Sequence, residues 1–293
     1  MKQADVASAE SNHVVCIGGG AGAEIVALAA AWRDLMDEER ISAGIAGVSL
    51  DESANTEQPS PDAVSESKSN PGLSVTTVDI ADWSSVVHRL STTIRSPAVP
   101  GSKSHPTPLL GLGKGNPAED KNGFNVRFER SDVLTVPDDE LKRLLHLETA
   151  DKGSSPNATV MVTLMFTLNE LFSTSMAKTT GFLLRTTDLL QPGTLLVVID
   201  SPGSYSTLKL GKSKGAEGEA SPAVQERQYP MKFLLNHTLL TVAEGKWESI
   251  YSQDSRWWRR DAARLGYDVG EGAGLEDMRY RVHIYRRLAT SSQ

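Results

Sequence analysis

Polar side chains that could take up a proton stand at the ends of two apolar segments of the sequence. Asn169 and Glu170 follow one of these segments, and Asp200 ends another. A carboxylate within hydrogen-bond reach of a substrate can accept a proton during a reaction, so Glu170 and Asp200 are candidate general bases. His283 is a third candidate, but its alternating apolar surroundings are more typical of a strand residue. We therefore take Asn169, Glu170 and Asp200 as the candidate catalytic residues, and we assign no metal ligands.

A glycine-rich turn near the start of the chain is the element around which the rest can be arranged. The apolar residues 14–17 suit a strand that is buried on both faces, and apolar residues recur at helical spacing over 23–32. Between the two lie four glycines, which are Gly18, Gly19, Gly20 and Gly22. Glycine lets the backbone lie directly against a ligand. This order of elements predicts a ligand at the carboxyl edge of a sheet, facing a helix start.

The turn is compatible with three interpretations. Gly18-x-Gly20-x-x-Ala23 fits the dinucleotide fingerprint, in which a pyrophosphate binds at the helix N-terminus. Gly18-x-Gly20-x-Gly22 also fits the first motif of methyltransferases that use S-adenosylmethionine (SAM). The third interpretation is a tight turn without a ligand. A nicotinamide enzyme would want an acidic residue about twenty residues past the turn, and the sequence has none there at a clear strand end.

Acidic residues end two further predicted strands. Asp79 follows a β-branched segment and stands where this architecture hydrogen-bonds a ribose. An alternative second strand, at 45–50, would give the ribose contact to Asp51 instead. Asp132 ends the third predicted strand and could accept a hydrogen bond from an adenine amino group beside Val133. It could equally cap a turn.

The pattern as a whole predicts an α/β fold with a doubly wound, mostly parallel, seven-stranded sheet and helices on both faces. Its carboxyl edge would carry the glycines and the acidic residues named above. We expect a flexible tail at 1–12 and one domain at 13–293. Polar, proline-rich or glycine-rich composition predicts disordered insertions within that domain at 51–72, 97–123 and 207–227.

Composition limits the class of protein. The chain has 293 residues, a formal net charge of −7 and one cysteine, Cys16, so a disulfide framework is impossible and a reducing compartment is expected. No apolar segment has the length of a membrane span, and the first residues lack the apolar core of a signal peptide. We therefore expect a soluble intracellular protein, in the nucleus, nucleolus or cytoplasm.

Arginine and aromatic residues alternate near the end of the chain, against the acidic balance of the whole. From residue 256 onward there are eight arginines and five acidic residues. One interpretation is a final strand in which Tyr280, Val282 and Ile284 face inward and the arginines are solvated. The other is a surface that stacks on bases and contacts phosphates. The candidate residues for it are Arg256, Trp257, Trp258, Arg259 and Arg260.

Several longer segments resemble the fungal family of SAM-dependent methyltransferases, which includes a 25S rRNA uridine-N(3)-methyltransferase. The segments are IGGGAGAE (17–24), VDIADW (78–83), TLMFTLNELF (163–172), DSPGSY (200–205), DSRWWR (254–259) and MRYRVHIYR (278–286). The resemblance implies a class I methyltransferase fold, SAM as the cofactor, and ribosomal RNA or a pre-ribosomal particle as the partner. Members of the family carry sequence ahead of the glycine strand where this chain has about a dozen residues, which leads us to expect that an RNA-docking part is absent.

The resemblance also implies roles for individual residues. The glycine turn would line the amino-acid end of the cofactor, Asp79 and Ile80 its ribose, and Asp132 with Val133 its adenine. Phe166, with Asn169 and Glu170, would border the methyl-transfer pocket. The chain departs from the general pattern at Cys16, where an acidic residue is common, and Glu24 is expected to supply that contact to the cofactor's ammonium. The two rival functions are a nicotinamide-dependent oxidoreductase and a catalytically silent ribosome-assembly or RNA-binding module.

Overall fold

The computed structural model describes residues 11–46, 72–98, 107–110, 123–145, 158–203, 205–210, 225–259 and 277–289. Seven strands form one sheet, in the order β3-β2-β1-β4-β5-β9-β8. They are β1 (Ser11–Ile17), β2 (Gly72–Asp79), β3 (Phe124–Arg130), β4 (Ala158–Met165), β5 (Leu195–Asp200), β8 (Trp247–Trp258) and β9 (Met278–Arg287). The first five strands are parallel, and β9 runs antiparallel to both of its neighbours. The predicted seven-stranded, mostly parallel sheet is confirmed.

Within the described ranges, six α-helices connect the strands and cover both faces of the sheet. They are α1 (Ala23–Ala46), α2 (Ser84–Thr93), α3 (Asp138–Leu144), α4 (Leu168–Thr174), α5 (Met176–Leu189) and α6 (Met231–Asn236). A π-helical turn, His237–Val242, continues α6. No helix within the described ranges is both long enough and apolar enough to cross a membrane.

The alternation of side chains along β1 explains why there are two apolar cores. Val14 and Cys16 point to one face, where they pack in a cluster with Ile25 of α1. Val15 and Ile17 point to the other face and belong to a larger cluster that includes residues of α3 to α6. Because β1 is buried on both faces, it fixes the glycine turn that follows it at the centre of the sheet edge.

The sheet order reverses at β1, whose two neighbours are β2 and β4. In an open α/β sheet, the connections from such a pair of strands leave in opposite directions and open a crevice at the carboxyl edge. That crevice is where the sequence predicted a ligand. In dinucleotide-binding sheets of the order 3-2-1-4-5-6, the sixth strand lies beside the fifth. Here the strand beside β5 is instead β9, which runs antiparallel to it.

The structure corrects several predicted boundaries. β1 begins at Ser11, inside the predicted tail. The alternative second strand at 45–50 is wrong, because helix α1 continues to Ala46 and the second strand is Gly72–Asp79. Asp51 lies outside the described residues, as does nearly all of the predicted insertion at 51–72.

The other two predicted insertions contain ordered structure. In the insertion at 97–123, Leu110 is buried and its N–H donates to the Ile94 carbonyl at 2.9 Å. In the insertion at 207–227, both ends belong to a small antiparallel sheet of β6 (Tyr205–Leu210) and β7 (Gln225–Pro230). Residues 99–106 and 111–122 of the first segment and residues 211–224 of the second lie outside the described ranges.

The final strand exists as one interpretation predicted, but its arginines are not all solvated. Arg281 and Arg287 are buried. Arg287 Nε donates to the Thr187 carbonyl at 2.9 Å, and its Nη1 donates to the Lys246 carbonyl at 3.1 Å. A guanidinium that satisfies its donors on backbone carbonyls can be buried at little cost, and here it ties β9 to α5 and to the start of β8.

Candidate active site

A cavity of about 520 Å³ opens at the carboxyl ends of β1 to β4. Its wall is made by the last residues of these strands and the residues that follow them, including Gly18 after β1, Ile80 after β2, Val133 after β3 and Phe166 after β4. Segments that are far apart in the sequence thus meet at one place, as the predicted crevice requires. The volume is typical of a site for a small molecule or a cofactor.

The charged side chains on the cavity wall are all acidic. Glu24, Asp79, Asp132 and Glu170 line it, and no lysine or arginine does so among the described residues. A pyrophosphate would meet four carboxylates here without a basic partner. A ligand with positive charges, such as a sulfonium and an ammonium, would be attracted instead.

Glu24 supplies the most direct sign of a cationic ligand. It lies in the first turn of α1 on the cavity wall, it is only 6% exposed, and its Oε1 has no hydrogen-bond partner among the described residues. Burial raises the pKa of this carboxyl group above its usual value. A buried carboxylate oxygen without a hydrogen bond is costly unless a donor reaches it, and the ammonium of an amino-acid ligand would be such a donor.

Two of the four glycines show what the turn is for. Gly18 has a φ of +74° and lines the cavity, and a Cβ at this position would lie 2.0 Å from Thr167 Oγ1. A Cβ on Gly20 would lie 2.2 Å from the Trp83 ring. The turn is therefore glycine-rich largely because neighbouring side chains approach it closely. Gly18 belongs to the cavity wall, whereas Gly19, Gly20 and Gly22 lie behind it.

The acidic residue that ends β2 and the one that follows β3 are held in place by turns. Asp79 Oδ1 accepts a hydrogen bond from the Ala81 N–H at 2.9 Å, and Asp79 and Ile80 both line the cavity. Asp132 Oδ1 accepts from the Leu134 N–H at 3.0 Å, and Oδ2 accepts from the Thr135 hydroxyl at 3.1 Å. Asp132 therefore caps a turn, as one interpretation held, and lines the cavity with Val133 as well.

The residues after β4 separate the candidate bases. Glu170 lines the cavity. Asn169 is its neighbour in α4, but successive helical residues project about 100° apart, and the Asn169 N–H donates to Asp200 Oδ2 at 3.3 Å. Asp200 is 3% exposed, accepts a second bond from the Ser201 N–H at 2.8 Å, and is not part of the wall. The structure brings Glu170 to the cavity and places Asn169 and Asp200 behind it.

Phe166, which follows β4 directly, has a conformation that is uncommon outside glycine. Its φ is +59°, its side chain is 40% exposed, and it lines the cavity. A bulky residue in the left-handed region costs of order 1–3 kcal/mol and is usually found at functional sites. A hydrogen bond of 2.7 Å from its N–H to the Ile199 carbonyl holds the backbone in this conformation.

Comparison with known proteins identifies the family. A family model described as "Putative SAM-dependent methyltransferase" matches residues 1–286. The chain belongs to this family. The family decides between the interpretations of the glycine turn in favour of SAM, and it agrees with the acidic cavity wall. The class I methyltransferase fold and the SAM cofactor, both expected from the sequence resemblance, are confirmed.

One curated relative extends over most of this SAM-dependent methyltransferase. The 25S rRNA (uridine(2843)-N(3))-methyltransferase of Saccharomyces cerevisiae is 29% identical over 283 residues, which are 94% of this chain and 60% of the relative. The chain thus spans about 60% of the length of that relative.

Solved structures are similar at a lower level. A SAM-dependent methyltransferase from Methanosarcina mazei has a TM-score of 0.41 and 13% identity, covering 96% of this chain and 94% of that chain. A variant of the 16S rRNA (adenine(1408)-N(1))-methyltransferase from Catenulisporales acidiphilia, solved with SAM, has a TM-score of 0.40 and 14% identity, covering 98% and 89%.

Several wall residues of this methyltransferase were missed by sequence reasoning. Thr167, Leu171 and Thr174 all line the cavity. Their spacing of four and three residues is that of one helix face, and it was the available signal. The sequence predicts a strand end after β4 rather than the start of α4, so this helical spacing does not enter the prediction.

His283, the third candidate base, lies away from the cavity wall. Its ring is fully buried, and its Nδ1 lies 2.9 Å from Ser252 Oγ on the neighbouring strand. Burial is the main cause that lowers its pKa to about 4, so the imidazole is neutral at pH 7. This is the strand residue that the sequence pattern favoured.

The arginine and tryptophan residues of this methyltransferase form a separate exposed feature. Arg281 is the first residue of β9 that pairs with β5. The residues before it in this strand, 278–280, pair only with 256–258 of β8. We call residues 256–259 and 277–280 the β8–β9 extension. Three residues of strand project about 10 Å past the carboxyl end of β5. Arg260, also a predicted contact residue, lies outside the described residues.

Trp257 lies at the centre of the β8–β9 extension. It is 51% exposed, and the Cζ atoms of Arg259 and Arg279 lie 5.0 Å and 5.4 Å from its ring centroid. Trp258 beside it is 36% exposed. Exposed indole rings among guanidinium groups are the combination that stacks on bases and contacts phosphates.

Proposed function

We propose that this chain transfers a methyl group from SAM to ribosomal RNA, at N3 of a uridine in the large-subunit rRNA. The observation that carries this proposal is the similarity to the yeast rRNA methyltransferase, which runs through 94% of the chain. The acidic cavity supports the choice of cofactor, and the β8–β9 extension supports an RNA substrate. An enzyme of this kind would work where rRNA is found, in the nucleolus or the cytoplasm.

The proposed cofactor contacts follow the layout of the cavity wall. Glu24, whose buried Oε1 has no hydrogen-bond partner among the described residues, receives the ammonium of the amino-acid end, on the same wall as Gly18. Asp79 has one oxygen on the Ala81 N–H and offers the other to the ribose hydroxyls, beside Ile80. Asp132 and Val133 lie on the part of the wall that follows β3 and receive the adenine.

Asp132 contributes by position more than by spare hydrogen-bonding capacity. Both of its carboxylate oxygens already accept bonds within the turn, although a carboxylate can accept more than one bond at each oxygen. Val133 and Leu134, the two residues that follow it, also line the cavity and supply apolar surface for the ring. This arrangement suits a flat aromatic group with one amino group at its edge.

For the chemistry, bound SAM supplies a methyl group on a positively charged sulfur. The chain has to align the attacking nitrogen and remove one proton from it. Glu170 is the proposed base, because it is the one candidate base that lines the cavity, one helical turn before Thr174. Asn169 and Asp200 support it by holding the start of α4 against the end of β5.

The test is a methyl-transfer assay with the purified chain and labelled SAM. Large-subunit rRNA from cells lacking the activity and intact ribosomal subunits from the same cells are offered as two parallel substrates. Digestion and mass spectrometry should show 3-methyluridine in at least one of them. If SAM binds but neither substrate gains a methyl group, the chain alone is not the proposed enzyme, and a silent RNA-binding module becomes the better description.

A further inference from the structure

A buried arginine near the candidate site has no role in the functions described so far. Arg281 lies on β9 directly opposite Asp200 of β5 and is 8% exposed. Directly opposite residues of an antiparallel pair point to the same face of the sheet. Because Asp200 accepts a bond from Asn169 in α4, Arg281 lies on the face of the sheet that α4 covers.

Within the described part of the chain, one donor of the buried Arg281 guanidinium has no hydrogen-bond partner. Its Nε is buried and has no hydrogen-bond partner there. Asp200, opposite it on β5, accepts hydrogen bonds from backbone N–H groups. Asp254 attracts Arg281 electrostatically, but its Oδ1 lies 2.7 Å from Lys232 Nζ. Arg287 on the same strand shows the contrast, because three of its contacts are backbone carbonyls.

A hydrogen-bond acceptor for Arg281 would not come from the cofactor. Arg281 is absent from the cavity wall, whose charged residues are all acidic. It lies on the second strand from β4, a separation of about 10 Å between strand axes. It is also the residue at which the β8–β9 extension leaves the sheet. An anion bound by Arg281 would therefore lie beside the cavity mouth, next to the exposed Trp257 and Arg279.

We propose that Arg281 binds a backbone phosphate of the RNA strand and thereby positions the nucleotide that is methylated. A guanidinium can donate two parallel hydrogen bonds to a phosphate, and burial strengthens such a pair. The neighbouring tryptophans favour a nucleic acid over an acidic peptide, because they offer stacking surfaces to bases. Arg281 is a positioning residue in this scheme. The inference rests on the proposed RNA substrate.

The test measures binding of a fluorescent single-stranded RNA oligonucleotide containing uridine to the full chain over a series of salt concentrations. Arg281→Gln should lower the affinity at least about tenfold. It should also reduce the slope of log K against log salt by about 0.7, which is one phosphate contact. Arg281→Lys should keep the slope and recover part of the affinity, because it keeps the charge but loses the planar fork.

Arg286→Gln is the matched control. It lies on the same strand at the opposite edge of the sheet and is exposed beside Glu248, so its slope should not change. The melting temperature separates a structural role from the proposed one. Without RNA, Arg281→Gln should melt no lower than the natural protein, because it removes a buried charge whose Nε has no hydrogen bond in the described part of the chain. A lower melting temperature with an unchanged salt slope would overturn the inference.

Oligonucleotide binding requires no methyl transfer, so the two proposals can fail separately. If labelled methyl groups appear in rRNA while Arg281→Gln keeps the salt slope and the KM for RNA, the proposed function stands and the inference about Arg281 is wrong. If Arg281→Gln changes the slope but no substrate is methylated, the phosphate contact stands and the enzymatic proposal fails.

Discussion

The two halves of the sheet present opposite charges at the same edge. Across the four neighbouring strands β3, β2, β1 and β4, the edge encloses a cavity with four acidic residues and no lysine or arginine among the described residues. Beyond β5 the edge continues as the exposed β8–β9 extension, which has three arginines and one acidic residue, Asp277. One half suits a cationic small molecule, and the other suits a polyanion.

This difference shows how one edge can bind two unlike partners side by side. The cationic ligand is held in an enclosed site, where burial strengthens a few carboxylate contacts. The polyanion meets an open surface, where each contact is weaker and depends on salt. Glu170 and Arg281 lie close to the boundary between the two, one on each side, so changes at these two residues are the sharpest tests of the division.

The largest effect is expected at Glu170. In Glu170→Gln the side chain keeps its size but loses its ability to accept a proton, so methyl transfer should fall at least about a hundredfold. SAM affinity should stay within about threefold, because Glu24 and Asp79 make the proposed polar contacts to the cofactor. Single-turnover transfer from labelled SAM and calorimetric SAM binding measure the two quantities.

Glu248→Gln is the control for that experiment, because Glu248 lies far from the cavity on β8, in an exposed ion pair with Arg286. It should leave both quantities unchanged. If Glu170→Gln turns over normally, Glu170 is only a wall residue and takes no part in proton transfer. If it loses SAM binding instead, it belongs to the cofactor site.

A smaller effect with two opposite signs is expected at Glu24. Glu24→Gln should weaken SAM binding about tenfold, because a charge-assisted hydrogen bond to the ammonium is lost. The same change should stabilise the protein without SAM at neutral pH. Burial raises the native pKa of Glu24, so the native state binds this proton more tightly than the unfolded state. The protein therefore loses stability as the pH rises from the unfolded-state pKa of Glu24 to its native-state pKa.

The measurement for Glu24 is thermal unfolding of the natural protein and the variant between pH 4 and pH 8, with and without SAM. Without SAM, the natural protein should lose stability relative to the variant as the pH rises. Saturating SAM should reverse their order at neutral pH, since stabilisation of the native state by a ligand grows with the logarithm of the ligand concentration over Kd. Equal SAM affinity of the two proteins would exclude the ammonium contact.

The parallel half of the molecule could be predicted from the sequence because its signals are local. Continuous apolar segments such as 14–17 identify strands that are buried on both faces, and the residues that follow them must lie at one edge. The prediction therefore placed Glu24, Asp79 and Asp132 near one another without knowledge of the sheet order. It did not identify α4. It therefore placed Asn169 beside Glu170 at the pocket, although the side chains of these neighbouring helical residues point in different directions.

The antiparallel half was less predictable for two physical reasons. Most of β8 is exposed, so it has no alternating apolar pattern by which a strand could be recognised. The partners of the buried arginines are also invisible in the sequence. Arg287 is satisfied by carbonyls of residues 100 and 41 positions away, and only the folded chain shows that Arg281 Nε lacks such a partner among the described residues.

The smallest effect is expected at Trp257, on the exposed side of the comparison. Stacking of one base on an aromatic ring is worth about 1–3 kcal/mol. Trp257 should fall at the low end because two guanidinium groups already lie against its ring. We therefore expect Trp257→Ala to weaken oligonucleotide binding about fivefold, with no change in SAM affinity. Tyr251→Ala is the control, since Tyr251 is an exposed aromatic residue of β8, 40% accessible, that pairs with Ile284 well within the sheet. Fluorescence titration of the same RNA oligonucleotide should separate the two variants. If both weaken binding equally, RNA does not distinguish the β8–β9 extension from the rest of the strand, and the division of the edge into a cofactor half and an RNA half would have to be redrawn around other residues.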